Sequence, residues 1–472
     1  MRKRQNRFAG LGRKDKIRTI FLTFAYPWKK HKGKKRARIR KGREMKRNNI
    51  VKVGDDFSSN ENPDFKLVSK FLKNVSEDIL LEIFLRLPNC RSVILFSSVC
   101  RRWNSVISHP KFIPNFVCHH HDRQDRYSLP YTILFLRSDV YTFRGVQFYQ
   151  PFYKLFSEES KVLHDKAASS YLDFLPSPMV VRASFDDLLL VEPGMRRNEY
   201  YICNPLTKQC FQIPKIPRGC PIGFALVRVP DSSNEPLGFS TNKTQYQYKV
   251  VLIHFALPLE EDGDNTFRVS IFCSKSRQWS QSYFSFPRAK EIKYCDYADV
   301  VTCNGILYWR ESDFTFDRII AFDLFNDRCF VIELPDDFGS GWQNSFGKVH
   351  LGAVRGELRL FQIFNTNEEC LVMKVWELNY EDYLSTSWAL VHEINLKRAN
   401  TQSMLGLAVH PSSDDVVFMI WGYDVFQYKI TEDRYEKVGE LETSIGPKER
   451  FSSIPLVHPA WPTPVPSHLP SV

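Results

Sequence analysis

Apolar positions divide this chain into two stretches of different period. Over residues 74–113 (NVSEDILLEIFLRLPNCRSVILFSSVCRRWNSVISHPKFI) they recur at helical spacing. Ile79, Leu80, Ile83, Phe84 and Leu87 form one stripe on a first helix. Asn74 with Glu77 reads as a capping box for that helix, and Ser76 is a competing N-cap. Leu87-Pro88 ends it, because the residue before proline avoids helical geometry. Ser92 is placed to cap a second helix carrying Leu95, Phe96, Val99, Cys100, Trp103, Val106 and Ile107. Bundles below ~40 residues seldom bury enough surface to be stable alone. The apolar residues of this one exceed what it can hide, so a partner surface is the expected sink.

From about residue 131 to 458 the pattern changes to short apolar strands separated by turn residues. One hairpin recurs: YYICNPLTKQCFQIP from Tyr200, VSIFCSKSRQWSQSYF from Val269, IIAFDLFNDRCFVIELP from Ile319 and VFQYKITEDRYEKVGEL from Val425, with a looser copy from Met373. Each turn is polar, and Cys210, Trp279, Phe330, Trp388 or Tyr435 enters the return strand. Further strand pairs lie between the copies at 300–309, 348–361 and 405–421, the first with the tight-turn pair Asn304-Gly305. A period of about 50 residues with several strands per unit suits a β-propeller of six or seven blades. Radial stacking gives each small sheet two neighbours, which a lone sheet lacks. A β-sandwich is the other architecture these strands allow. Trp279, Trp309, Trp388 and Trp421 read as packing residues between blades.

The helical segment resembles an F-box, through EDILLEIFLRLP, the step from Val99 to Trp103 (VCRRW) and the closing VISHPKF. Where most F-boxes open with Leu-Pro, this chain has Val75-Ser76. The β region is similar to the F-box-associated domains of a large plant family, through CNPLTKQCFQIP, VVTCNGILYW, IIAFDLFNDRCFVIELP and GLAVHP in the usual order. The fold class expected is α+β and multidomain: a small N-terminal helical F-box followed by an all-β propeller-like domain. The organisation read from the chain is a basic arm (1–70), F-box (71–115), polar linker (116–130), propeller-like domain (131–458) and Pro-rich tail (459–472). The resemblance implies a non-catalytic substrate receptor whose partners are a Skp-type adaptor, through it a cullin–RING ubiquitin ligase, and a target protein that the sequence does not name. It also implies that Ile79, Ile83, Leu87, Pro88, Val99, Cys100 and Trp103 pack in or support the adaptor interface, with Leu87-Pro88 and Val99 foremost and Trp103 equally suited to the motif's own core.

Charge refines this picture. The formal net charge of +12 hides a basic arm, with 20 Lys/Arg against Asp15 and Glu44 in residues 1–50, on a body that carries net −6. The run 29–47 reads as a self-repelling segment, as a nuclear import signal or as a plain solvated tail, and the acidic body argues against nucleic-acid work. Nucleus, cytoplasm or both are the expected locations. No hydrophobic run reaches the ~18 residues of a membrane span, and the short apolar piece near the start is not followed by a cleavage site. Eleven scattered cysteines, with no CxxC pair, suggest free buried thiols in a reducing compartment.

Cys118-His119-His120-His121 has no second ligand pair nearby, so a solvated loop is expected rather than a metal site, and no cofactor is implied. The pairs Asp186-Asp187, Glu260-Glu261 and Asp414-Asp415 read as solvated turns, while His254, His350 and His392 read as core histidines. No catalytic motif is present. The competing reading is a glycan- or small-ligand-binding propeller with the F-box as an assembly handle. Its pocket would need Trp309-Arg310-Glu311, the loop around Trp342, or Trp421-Gly422-Tyr423.

Overall fold

The computed structural model describes residues 75–109, 111–121 and most of 130–465, and leaves out 1–74, 110, 122–129, 144–145, 159–160, 162, 165–171, 176–178, 194–198, 217–220, 230–246, 257–265, 286–299, 311–317, 339–347, 368–369, 381–385, 397–403, 442–449, 464 and 466–472. The basic arm, Asn74, Glu260-Glu261, Glu311, Trp342 and the end of the Pro-rich tail lie outside the described residues. The chain divides into two compact units, residues up to 112 without 89–91, and residues 113–472 with 89–91.

Four helices come first: α1 (Glu77–Leu85), α2 (Cys90–Ser97), α3 (Arg101–Ile107) and α4 (Phe112–His121). Ser76 takes the N-cap position of α1 in extended geometry, but its side chain makes no capping bond. The second helix expected from the sequence is two helices. Ser97 Oγ and Ser98 Oγ donate to the carbonyls of Ile94 and Leu95, each at 2.7 Å. The backbone tightens to i→i+3 bonds from Ser98 to Leu95 and from Val99 to Phe96. Side-chain competition of this kind ends a helix, and Cys100, fully extended, starts α3.

The segment taken for a polar linker begins as α4, which runs through the three histidines. The overlooked signal is the stripe Phe112, Phe116 and Val117, all buried. Pro114 is tolerated because it sits in the first turn, where no donor is needed.

Strands follow in chain order: β1 (Tyr131–Phe143), β2 (Val146–Ser157), β3 (Leu163–His164), β4 (Met179–Phe185), β5 (Leu188–Pro193), β6 (Tyr201–Asn204), β7 (Gln209–Gln212), β8 (Pro221–Val229), β9 (Gln247–Ala256), β10 (Thr266–Cys273), β11 (Gln278–Ser285) and β12 (Val301–Cys303). Then come β13 (Ile306–Arg310), β14 (Arg318–Asp323), β15 (Arg328–Glu333), β16 (Lys348–Val354), β17 (Glu357–Asn367), β18 (Cys370–Tyr380), β19 (Thr386–Leu396), β20 (Met404–Val409), β21 (Val416–Trp421), β22 (Asp424–Lys429), β23 (Arg434–Glu440) and β24 (Arg450–Val457). They form six antiparallel four-stranded blades, of which five are consecutive: β4–β7, β8–β11, β12–β15, β16–β19 and β20–β23. The sixth has the order β24-β1-β2-β3, so the last strand closes the first blade. The inner strands β24, β4, β8, β12, β16 and β20 each neighbour the next around a closed ring. Six apolar clusters fill the six seams between blades.

All five recurring hairpins are the outer two strands of a blade. Four of them share a turn whose last residue has positive φ: Lys208, Arg277, Asp327 and Asp433. In two of those turns the first residue is an Asx cap, with Asn204 Oδ1 accepting from Leu206 N (2.9 Å) and Asp323 Oδ1 from Phe325 N (2.8 Å). Tryptophans pin blade to blade, as expected. Trp309 is buried in the seam between the third and fourth blades. The indoles of Trp279 and Trp388 donate to the carbonyls of Pro214 (2.8 Å) and Glu333 (2.9 Å) beside or in the preceding blade's outer strand.

The expectation of free thiols fails at one place. Cys203 and Cys210 face each other across β6 and β7, with Cα atoms 4.2 Å apart, and are joined as a disulfide. The alternation that sets the blade's register brings them opposite. Cys90, Cys100, Cys118, Cys273, Cys303 and Cys329 are free.

In the β12–β13 turn Asn304 and Gly305 have φ of 50° and 83°. Gly305→Ala is expected to destabilise the propeller by about 1–2 kcal/mol through the left-handed backbone. A Cβ there would also lie 1.9 Å from the Phe325 ring, which must turn away. Denaturant unfolding of both proteins checks this, and an unchanged midpoint would refute it.

Candidate partner-docking surface

The helical unit is held by an aromatic trio. Phe84 of α1 meets Trp103 of α3 edge to face at 5.4 Å between centroids. Phe96 of α2 meets Trp103 at 5.6 Å and Phe84 at 6.3 Å. Arg102 donates to the Val75 carbonyl, which ties the start of α1 to α3. Val75, in the position where most F-boxes carry leucine, is itself buried. Glu82 and Arg86 pair one turn apart on α1.

Around this core the apolar residues separate sharply. Leu80, Ile83, Phe84, Leu87, Trp103, Val106 and Ile107 are buried, whereas Ile79, Ile94, Leu95 and Val99 are 43%, 40%, 61% and 60% exposed. Those four are half of the eight exposed large hydrophobic residues among the described residues, and all fall between positions 79 and 99. Scattered single apolar residues are ordinary on a surface. Four within one short helical unit are a concentration that calls for a partner.

The seven sequence-derived candidates therefore divide. Ile79, Pro88, Val99 and Cys100 are exposed, while Ile83, Leu87 and Trp103 are buried and support the unit from within. Ile94 and Leu95 were not among the seven. Their signal was the run Val93-Ile94-Leu95-Phe96, since four consecutive apolar residues cannot all face one side of a helix. The break after Ser97 is what leaves Val99 and Cys100 outside any helix stripe.

In the propeller the described carboxylate pairs, Asp186-Asp187 and Asp414-Asp415, serve structure. Asp187 is fully buried, not solvated, and its Oδ2 accepts from Asn204 Nδ2 (2.8 Å) and from the Thr463 amide (2.9 Å). Burial raises its pKa above the usual carboxylate value, against those hydrogen bonds. The turn context of the sequence hides this, because Asn204 and Thr463 come from distant segments. Asp414 pairs with Arg355 (2.9 Å) and with the buried Arg359 (3.3 Å), which also holds Glu377. Asp415 caps the Thr431 amide at 2.6 Å.

His254 is buried, as expected. Burial lowers His392, further lowered by Arg359, and pushes His350 down to about 4, aided by Arg310. Of the stretches that could line a ligand pocket, Trp309 is buried against Phe267 (6.2 Å), and Trp421 packs on Tyr435 (5.4 Å) and Phe426 (5.8 Å). Among the described residues no cluster of three or more His, Cys, Asp or Glu is placed to hold a metal ion, and no helix is long and apolar enough to cross a membrane.

A helical unit of this form followed by a six-bladed propeller is the architecture of an F-box substrate receptor. Residues 72–115 match the F-box domain, and residues 156–436 match the family described as F-box protein At3g26010-like, beta-propeller. The second match spans more than half of the chain, which belongs to that family. Similar proteins of Arabidopsis thaliana include F-box protein At5g49610, 26% identical over 330 residues that cover 68% of this chain and 79% of that one. Putative F-box/kelch-repeat protein At1g15680 is 24% identical over 366 residues, covering 73% and 78%.

Proposed function

We propose that this protein is the non-catalytic substrate-recognition subunit of a Skp–Cullin–F-box ubiquitin ligase, working in the nucleus, the cytoplasm or both. The helical unit hands its exposed apolar residues to a Skp-type adaptor, and the propeller holds a target protein for ubiquitination. The observation that carries this reading is the exposure of Ile79, Ile94, Leu95 and Val99 on a unit whose interior is already filled by Phe84, Phe96 and Trp103. In such a complex the chain contributes proximity, raising the effective concentration of target lysines at the conjugating enzyme. The packing of Trp309 on Phe267 and of Trp421 on Tyr435 weighs against the glycan or small-ligand reading.

Leu95→Asp with Val99→Asp tests the proposal better than a charge at Leu87, which is buried and would disturb the fold as well. Each lost apolar contact is worth about 1.5–3 kcal/mol, and a buried unpaired carboxylate adds to the cost. The double variant is expected to bind a Skp-type adaptor at least about a hundredfold more weakly. Its thermal melt should match the wild type, because both side chains face solvent. Co-elution with adaptor at wild-type stoichiometry would refute the assignment.

A further inference from the structure

The short segment that follows β24 is more firmly held than its proline-rich sequence suggests. His458 donates its amide to the Pro130 carbonyl (2.8 Å), and its Nε2 lies 2.8 Å from Thr132 Oγ1. Trp461 meets Phe116 of α4 edge to face, at 5.8 Å between centroids. Thr463 is gripped at both backbone groups, its amide by Asp187 and its carbonyl by Asn204 Nδ2 at 2.7 Å. Val465 enters the apolar seam between the second and third blades.

We infer that residues 458–463, with Val465, form a strap that pins α4 to the propeller, with Trp461 as the clasp on the helix and Asp187-Asn204 as the anchor on the second blade. Three features support a dedicated device rather than incidental packing. Phe116 is fully buried on a helix of only 10 residues, and a helix that short depends on tertiary contact for its order. Asp187 is a carboxylate sunk out of water, a costly arrangement whose Oδ2 is satisfied by the strap and by the residue that also holds the strap. Asn204 does double service, since its Oδ1 builds the β6–β7 turn while its Nδ2 joins Asp187 to Thr463. The order of α4 is thereby conditional on a segment more than 300 residues away in sequence.

Hydrogen–deuterium exchange on the full chain tests this with two variants that act at opposite ends of the strap. Trp461→Ala removes the clasp, and Thr463→Glu places a second carboxyl beside Asp187, which like-charge repulsion should expel. In both, amides of 113–121 should exchange about tenfold faster or more, while the strands of the blades keep their protection. Unchanged exchange in α4 while 458–465 exchanges freely would overturn the inference. A uniform rise across all blades would also overturn it, because the segment would then belong to the global fold and not to a local pin.

Discussion

A chain truncated after residue 449 is expected to lose cooperative folding of the propeller altogether. β24 is the inner strand of the first blade, paired with β1 from Tyr131↔Val457 to Ser138↔Arg450. It is also the link that lies between β20 and β4 in the ring of inner strands. Its removal takes the buried Leu456 and Ile454 out of the cluster that holds Leu134, Leu189 and Val191. Those two side chains alone are worth about 2–5 kcal/mol each. The loss of a whole backbone ladder and an opened β1 edge come on top. The total is comparable with the ~5–15 kcal/mol by which a domain is normally stable. The truncated protein should elute as aggregate and show no sharp transition in circular dichroism or tryptophan fluorescence. A monomer that melts near the wild-type temperature would mean that the ring closes without β24.

That closure marks where reading the sequence stops being sufficient. The five outer hairpins were legible because each is local. Alternating apolar residues, a polar turn and an aromatic or cysteine entering the return strand all lie within about 17 residues. The repeat arithmetic left six or seven blades open, since the pairing of Arg450–Val457 with Tyr131–Ser138 is a contact across more than 300 residues with no local signature. The same limit explains Asp187. A pair of aspartates in a turn reads as solvated, and only the approach of Asn204 and Thr463 makes burial tolerable. In the helical unit, periodicity found the buried stripe of α1 but joined α2 to α3. Helix-breaking by Ser97 and Ser98 depends on which way their hydroxyls turn, which composition does not reveal. The residues proposed to dock a partner are the least legible of all. They are defined by being left over once Phe84, Phe96 and Trp103 have filled the interior, so Ile94 and Leu95 emerge only when that interior is known.

Acidification is expected to destabilise the propeller well before its surface carboxylates are titrated. Burial pushes His350, His410 and His458 down to about 4 from an ordinary value near 6.5. Each is held neutral by its setting. His410 Nδ1 accepts the amides of Ser412 (3.0 Å) and Ser413 (2.9 Å), and His410 sits edge to face on Tyr131 at 4.2 Å. His458 shares a hydrogen with Thr132, so two of the three lie against the first residues of β1. The sign follows from proton counting. Below about pH 6.5 the unfolded chain binds protons that the folded chain refuses, so stability is full above that pH and falls as the pH drops toward 4. Each histidine costs about 1 kcal/mol per pH unit in that window, and three together about 3. Asp187 opposes them: its raised pKa makes the folded state the better proton binder in acid, but one carboxyl offsets only part of three imidazoles. Denaturant midpoints taken between about pH 7.5 and 5 should fall steeply. His410→Asn, whose Oδ1 can still accept both amides, combined with His458→Gln should remove about half of that slope or more, the remainder belonging to His350 and to His392, which burial also lowers. A slope that the double substitution leaves undiminished would place the acid sensitivity elsewhere, and a flat wild-type profile would mean that these imidazoles take up protons without leaving their native contacts.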